Sequence, residues 1–141
     1  MTTIYNGLEF DTELEAIWAS FFDLAGWQWW YNPVAIDNWK PDFKVTFSCT
    51  HSECGGDHTL MVSVVPTRDL ESQSLHPSLS YSYGVYDKNK RYVADGGALL
   101  GMSPRVSRWQ ISHGSGGGVE DMFFRVDNAN ELWEKAVASI M

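Results

Sequence analysis

Pro41-Asp42-Phe43-Lys44-Val45-Thr46-Phe47 decides the fold class. Phe43, Val45 and Phe47 alternate with Asp42, Lys44 and Thr46, the two-residue period of a strand with one apolar face. Downstream, a polar loop over 49–58 precedes Thr59 to Val65, a near-continuous apolar run that predicts a buried strand. Together these read as an antiparallel hairpin, with Ser63 and Val65 on the sheet face of Asp42 and Lys44. Upstream, Leu14, Ile17, Trp18, Phe21, Phe22 and Ala25 recur at helical spacing and predict a helix over 11–25. Thr12 and Glu15 fit a capping box at its start, and Gly26 is placed to end it. Trp27 to Tyr31 reads as a strand that stops at Asn32-Pro33, its aromatics arguing for cover on both faces.

Beyond the hairpin the pattern is less regular. Arg68 to Leu75 suggests a short helix ended by His76-Pro77. Leu79 to Tyr86 and Arg91 to Ala94 flank the polar turn Asp87-Lys88-Asn89-Lys90, and Arg105 to Ser112 suggests another strand. His113 to Gly118 reads as a Gly-rich turn, and Asn128 to Ile140 as a closing helix with Leu132, Trp133 and Ala136 inward. No repeat, heptad or linker interrupts 1–141, so the expectation is one α+β domain.

The 141 residues carry eighteen acids against ten Lys and Arg, a formal charge of −8. That balance argues against a protein that coats duplex DNA through a general basic surface. No apolar run approaches the ~20 residues of a membrane helix, and the N-terminus lacks a basic region followed by an apolar stretch. With only two cysteines, the chain does not read as a secreted disulfide scaffold. The expected setting is cytoplasmic.

A Glu on the opening helix, then a Pro-Asp pair opening a strand, then a buried strand, form a recognisable order. It resembles the PD-(D/E)XK nuclease-like proteins, particularly the short versions found in phages of actinobacteria. The matching residues are Tyr5-Asn6-Gly7, Leu14-Glu15-Ala16 with Trp18, Phe21-Phe22-Asp23 and Pro41-Asp42-Phe43. They continue through Cys49-Thr50-His51-Ser52-Glu53-Cys54 with His58-Thr59-Leu60, Trp109, His113-Gly114, Gly116-Gly117-Gly118 and Leu132-Trp133. The resemblance spans nearly the whole chain and implies a restriction-endonuclease-like core, a mixed sheet flanked by an N-terminal and a C-terminal helix. It places the protein in a host cell's cytoplasm if it is phage-encoded.

In that family the Asp of the Pro-Asp pair and a Glu on the next strand bind Mg²⁺, while a Lys two residues later orients or activates water. Hard Mg²⁺ takes carboxylate oxygens, polarises the phosphate and lowers the pKa of bound water. Asp42 and Glu15 match two of those positions. Where the family has Glu-x-Lys, this chain reads Ser63-Val64-Val65. The resemblance therefore implies a nuclease-like pseudoenzyme that binds DNA or a host protein. An active Mg²⁺-dependent endonuclease would have to use Glu15, Asp42 and a relocated Lys44 as catalytic residues. A different class, an acidic inhibitor of a host restriction or CRISPR-type defence system, fits the negative charge. Without the resemblance, Glu15 is accounted for by the capping box, Asp42 by a strand start and Lys44 by a solvated strand edge.

Cys49, His51, Cys54 and His58 supply four zinc-competent ligands within ten residues. Two thiolates and two imidazoles complete a closed tetrahedral Zn²⁺ site, which is structural rather than catalytic. The alternative is a reduced pair of cysteines in a hairpin loop with incidental histidines. The Gly-rich stretch after His113 lacks the Gly-Lys-Ser/Thr ending of a P-loop and reads as a turn. Lys88, Lys90 and Arg91 form the densest basic cluster, with Arg105 and Arg108 later. Most tryptophans are expected in the core, with Trp30 or Trp39 able to stack on a base.

Overall fold

The computed structural model describes residues 2–49, 55–113 and 116–141. An N-terminal hairpin, β1 (Thr3–Tyr5) and β2 (Leu8–Phe10), turns at Asn6-Gly7, where both residues take positive φ. Asn and Gly tolerate that conformation best. Helix α1 (Glu13–Ala25) follows, with the predicted capping box formed: Thr12 accepts from the Glu15 N–H, and Glu15 from the Thr12 N–H. Gly26, at φ 77°, closes it in the left-handed region. The remaining elements are β3 (Gln28–Tyr31), β4 (Phe43–Ser48), β5 (Asp57–Val64), β6 (Val85–Tyr86), β7 (Tyr92–Ala94), β8 (Gly96–Leu100), β9 (Ser107–His113), β10 (Gly116–Glu120), α2 (Met122–Arg125) and α3 (Ala129–Ile140).

One six-stranded sheet organises the chain, in the order β10-β9-β8-β5-β4-β3. Every pairing is antiparallel except β5 with β8. The α+β class and a mixed sheet with helices at both ends of the chain are thus present. A parallel step needs a crossover, usually helical. Here residues 65–95 make it with two 3₁₀ turns, Glu71–Gln73 and Pro77–Ser80, and the small β6–β7 hairpin. Strand β8 is buried along its whole length, as a central strand covered on both faces must be.

The two faces differ. On one, α1 and α3 pack over Phe43, Val45, Phe47, Leu60, Val62, Trp109 and Ile111. Trp18, fully buried there, donates its indole N–H to the Gly101 carbonyl at 2.9 Å. On the other, Ile36, Trp39, Met61, Val85 and Ala94 form a smaller cluster under the crossover. Trp39 stacks on Tyr81 and donates to Ser63 Oγ at 2.8 Å.

Several expectations change. The stretch after His113 is not simply a turn: Gly116 to Glu120 form strand β10, paired with β9. Leu79 to Tyr86 is not one strand, because Pro77 starts a 3₁₀ turn capped by His76 and only Val85–Tyr86 pairs. Arg68 to Leu75 yields only the short turn at Glu71–Gln73. Strand β3 lies at the sheet edge, so Trp30 is exposed rather than covered. Among the described residues, no helix is long and apolar enough to cross a membrane.

Candidate metal centre and carboxylate pair

Three period-2 patterns run off the same sheet face at one end of the molecule. On β4 the inward series Phe43, Val45, Phe47 continues to Cys49. On β5, His58 pairs with Phe47 and precedes Leu60 and Val62 on that face. On β9, Trp109 and Ile111 are followed by His113. Strand β8, between β5 and β9, begins only at Gly96 opposite Leu60, so it stops short of His58. That gap lets the His58 and His113 rings approach to 6.1 Å between centroids.

One ligand atom from each of Cys49, His58 and His113 lies within 4.8 Å of the other two, a cluster that can hold a metal ion. Cys49 Sγ stands 3.6 Å from His113 Nδ1. Tetrahedral zinc with ordinary Zn–S and Zn–N bonds separates sulfur from nitrogen by roughly 3.6 Å. His58 is 4 % exposed, and among the described residues neither ring nitrogen has a hydrogen-bond partner. Leaving a buried polar atom unsatisfied costs about 1–3 kcal/mol, a cost that a metal on one nitrogen and a carboxylate beside the other would relieve. Asp95 Oδ2 lies 3.4 Å from Nδ1, outside hydrogen-bond geometry but on the side where metal-binding histidines meet a carboxylate. Asp95 is itself fixed by the Thr59 N–H at 2.7 Å and by the Tyr92 hydroxyl.

The cysteine has an electropositive neighbour. Arg125 Nη1 is 3.8 Å from Cys49 Sγ, while its other nitrogens bind Glu120 at 2.8 and 2.9 Å. A guanidinium there favours the thiolate that a metal requires. Glu120 also accepts the Trp109 indole N–H at 2.9 Å, which ties β10 and α2 to the core beside the cluster.

Of the four expected ligands, Cys49 and His58 are brought together, while His51 and Cys54 lie outside the described residues. His113 was hidden in the sequence by lying 64 positions after Cys49 and by the glycines after it. The signal was the alternation Trp109, Ile111, His113.

Glu15 and Asp42 also come close, at the opposite end of β4 from Cys49, near enough for the charge of one to raise the pKa of the other. Glu15 Oε1 accepts from the Thr12 N–H at 3.1 Å and the Tyr31 hydroxyl at 2.8 Å. Asp42 Oδ2 accepts from the Val64 N–H at 2.8 Å. Burial first, then the charges of Glu15 and Asp11, push Asp42 up to about 6 against the pull of that N–H. Lys44 is not with them. Its ammonium sits 5.1 Å over the Trp30 ring, in a cleft shared with Ile36 and Met61. Ser63, which stands where the resemblance expects the second metal carboxylate, accepts from Trp39.

No protein-family model, curated protein or solved structure matches the chain.

Proposed function

We propose that this chain is a zinc-stapled, PD-(D/E)XK nuclease-like domain that works by binding nucleic acid or a host protein and not by efficient cleavage. Zinc fits the donor set of one soft sulfur and two imidazoles, the S–N spacing and the buried His58 ring, which makes no hydrogen bond among the described residues. Held by Cys49, His58 and His113, it supplies structural cross-linking between the β4–β5 hairpin and the end of β9.

The observation that carries the non-catalytic part is the separation of Lys44 from Glu15 and Asp42. Phosphodiester hydrolysis by this kind of site needs two or more carboxylates on Mg²⁺ and a cation or base at the attacking water. Val65 stands where the resemblance expects the lysine, and Lys44 is engaged by Trp30. The test incubates plasmid and single-stranded DNA with excess protein in Mg²⁺ or Mn²⁺. No cleavage is expected. Cleavage abolished by Asp42→Ala would overturn the proposal in favour of the active nuclease, which the meeting of Glu15 and Asp42 supports. The inhibitor of a defence system has only the net charge of −8 and the lost Glu-x-Lys behind it.

A further inference from the structure

Four of the ten basic residues of this acidic chain, Lys44, Lys88, Lys90 and Arg91, belong to one corner of the molecule. Lys44 projects from β4 and Arg91 from the residue before β7, and both line an open cleft of about 430 Å³. Lys88 and Lys90 lie between two of its lining residues, Asp87 and Arg91, on the exposed β6–β7 turn. The cleft floor is Ile36 and Met61, both buried, and its wall is Trp30, 47 % exposed, with Val34 at 83 %. Its size falls in the roughly 300–1,000 Å³ typical of small-ligand sites.

An indole left half open on an edge strand, beside an apolar floor, offers a π-face to a planar ring. Lys44 faces Trp30 across the β3–β4 ladder and holds its charge 5.1 Å from the ring. Asp87 is the one acid in the lining. Its Oδ1 accepts the Asn89 and Arg91 N–H groups at 2.8 and 3.0 Å, and Oδ2 lies 3.3 Å from Arg91 Nε. The carboxylate therefore organises the turn and offsets only one of four positive charges. An aromatic platform with cations spaced around it is the chemistry that takes a base and its neighbouring phosphates. A purely apolar partner would gain nothing from the lysines, and an acidic peptide nothing from the open indole.

We infer that this cleft binds single-stranded polynucleotide, stacking a base on Trp30 and placing backbone phosphates on Lys44, Arg91 and the turn lysines. The inference rests on the binding function proposed above but not on the metal or on the loss of cleavage. It names a site on the face of the sheet opposite α1, separate from Glu15 and Asp42.

Fluorescence anisotropy of labelled oligothymidylate and oligouridylate at low ionic strength tests it. Trp30→Ala is expected to weaken binding about tenfold or more, as loss of one stacked base does. Lys44→Gln and Arg91→Gln are each expected to lower the slope of log affinity against log salt by about 0.7, one single-strand phosphate contact apiece. Arg105→Gln with Arg108→Gln is expected to change neither. Thermal melts keep the comparison to folded variants, and Trp30→Phe, which retains a ring, is expected to recover most of the affinity. If oligonucleotides bind but Trp30→Ala and Lys44→Gln leave affinity unchanged, this site is wrong while the binding function stands. If neither oligonucleotide binds, or if polyglutamate binds the cleft equally well, the inference is overturned and the binding function is left with a protein partner.

Discussion

Cys49 Sγ and His113 Nδ1 lie 3.6 Å apart, although they stand 64 positions apart in the chain. With His58 they join the β4–β5 hairpin to the far end of β9 across a gap that β8 does not fill. A bond at that point closes a loop longer than any the short 49–58 segment could close alone. A metal there therefore stabilises the sheet as a whole and does more than order one turn.

Metal removal should lower stability by a measurable amount. An ion present at a thousandfold excess over its Kd contributes about 4 kcal/mol, which moves Tm by roughly 10 °C for a chain of this size. We expect about one Zn²⁺ per chain by elemental analysis, and a fall of this order with a strong chelator. Cys49→Ser, His58→Ala and His113→Ala should each bind the metal more weakly and shrink the fall that the chelator causes. Metal-free protein that melts at the same temperature as the purified protein would contradict this.

Cobalt substitution should count the thiolates. The thiolate-to-cobalt charge-transfer band grows with each sulfur on the metal, so a site with two loses about half of it in either single variant. Cys54, a ligand expected from the sequence, lies outside the described residues, and the band is a direct readout of whether it binds. Cys49→Ser and Cys54→Ser are each expected to halve the band, and His51→Ala to leave it intact. A band abolished by Cys49→Ser alone would give the fourth position to a group other than Cys54.

Gly97 is required by the crossover. A Cβ on Gly97 would stand 2.3 Å from the Ser78 carbonyl oxygen and 3.2 Å from the Trp39 ring, so the 3₁₀ turn over β8 would have to move. Gly97→Ala should destabilise by about 1–3 kcal/mol, the usual range for overpacking. Gly116→Ala is the matched control: its nearest neighbour would be 3.9 Å away. Equal denaturation midpoints for the two variants would show that the turn yields without cost.

How far the sequence shows this structure depends on where each element finds its partners. Helix α1, its capping box and Gly26 were legible because cap and apolar stripe lie within one stretch. Strands β4 and β5 were legible because alternation and burial agree with a hairpin. Strand β8 was not, since Gly96, Gly97 and Ala98 carry little local signal and become a central strand only between β5 and β9. The carboxylate pair was legible from the Glu15 and Pro41-Asp42 order. Lys44 was expected beside Asp42, yet its side chain lines the Trp30 cleft while Asp42 turns to the Val64 N–H and Glu15.

That turn of Asp42 gives a pH dependence whose sign is fixed by the shift. Its pKa in the folded chain is raised to about 6, against about 3.9 unfolded. The folded state thus binds this proton more tightly, so Asp42 favours folding while it is protonated. The contribution is full below the unfolded value and is lost as pH rises through about 6. Asp42→Asn keeps an oxygen for the Val64 N–H and gives Glu15 an amide donor in place of a second carboxylate. Relative to wild type, the variant should gain stability across that window and stand about 1 kcal/mol higher at neutral pH, the shift being discounted because Asp42 is only partly buried. Urea denaturation at steps from acid to neutral pH measures it. Mg²⁺ added at neutral pH is expected to stabilise neither protein. A Mg²⁺-dependent gain in wild type that Asp42→Asn abolishes would show that Glu15 and Asp42 chelate the ion, and would move the balance toward the active nuclease.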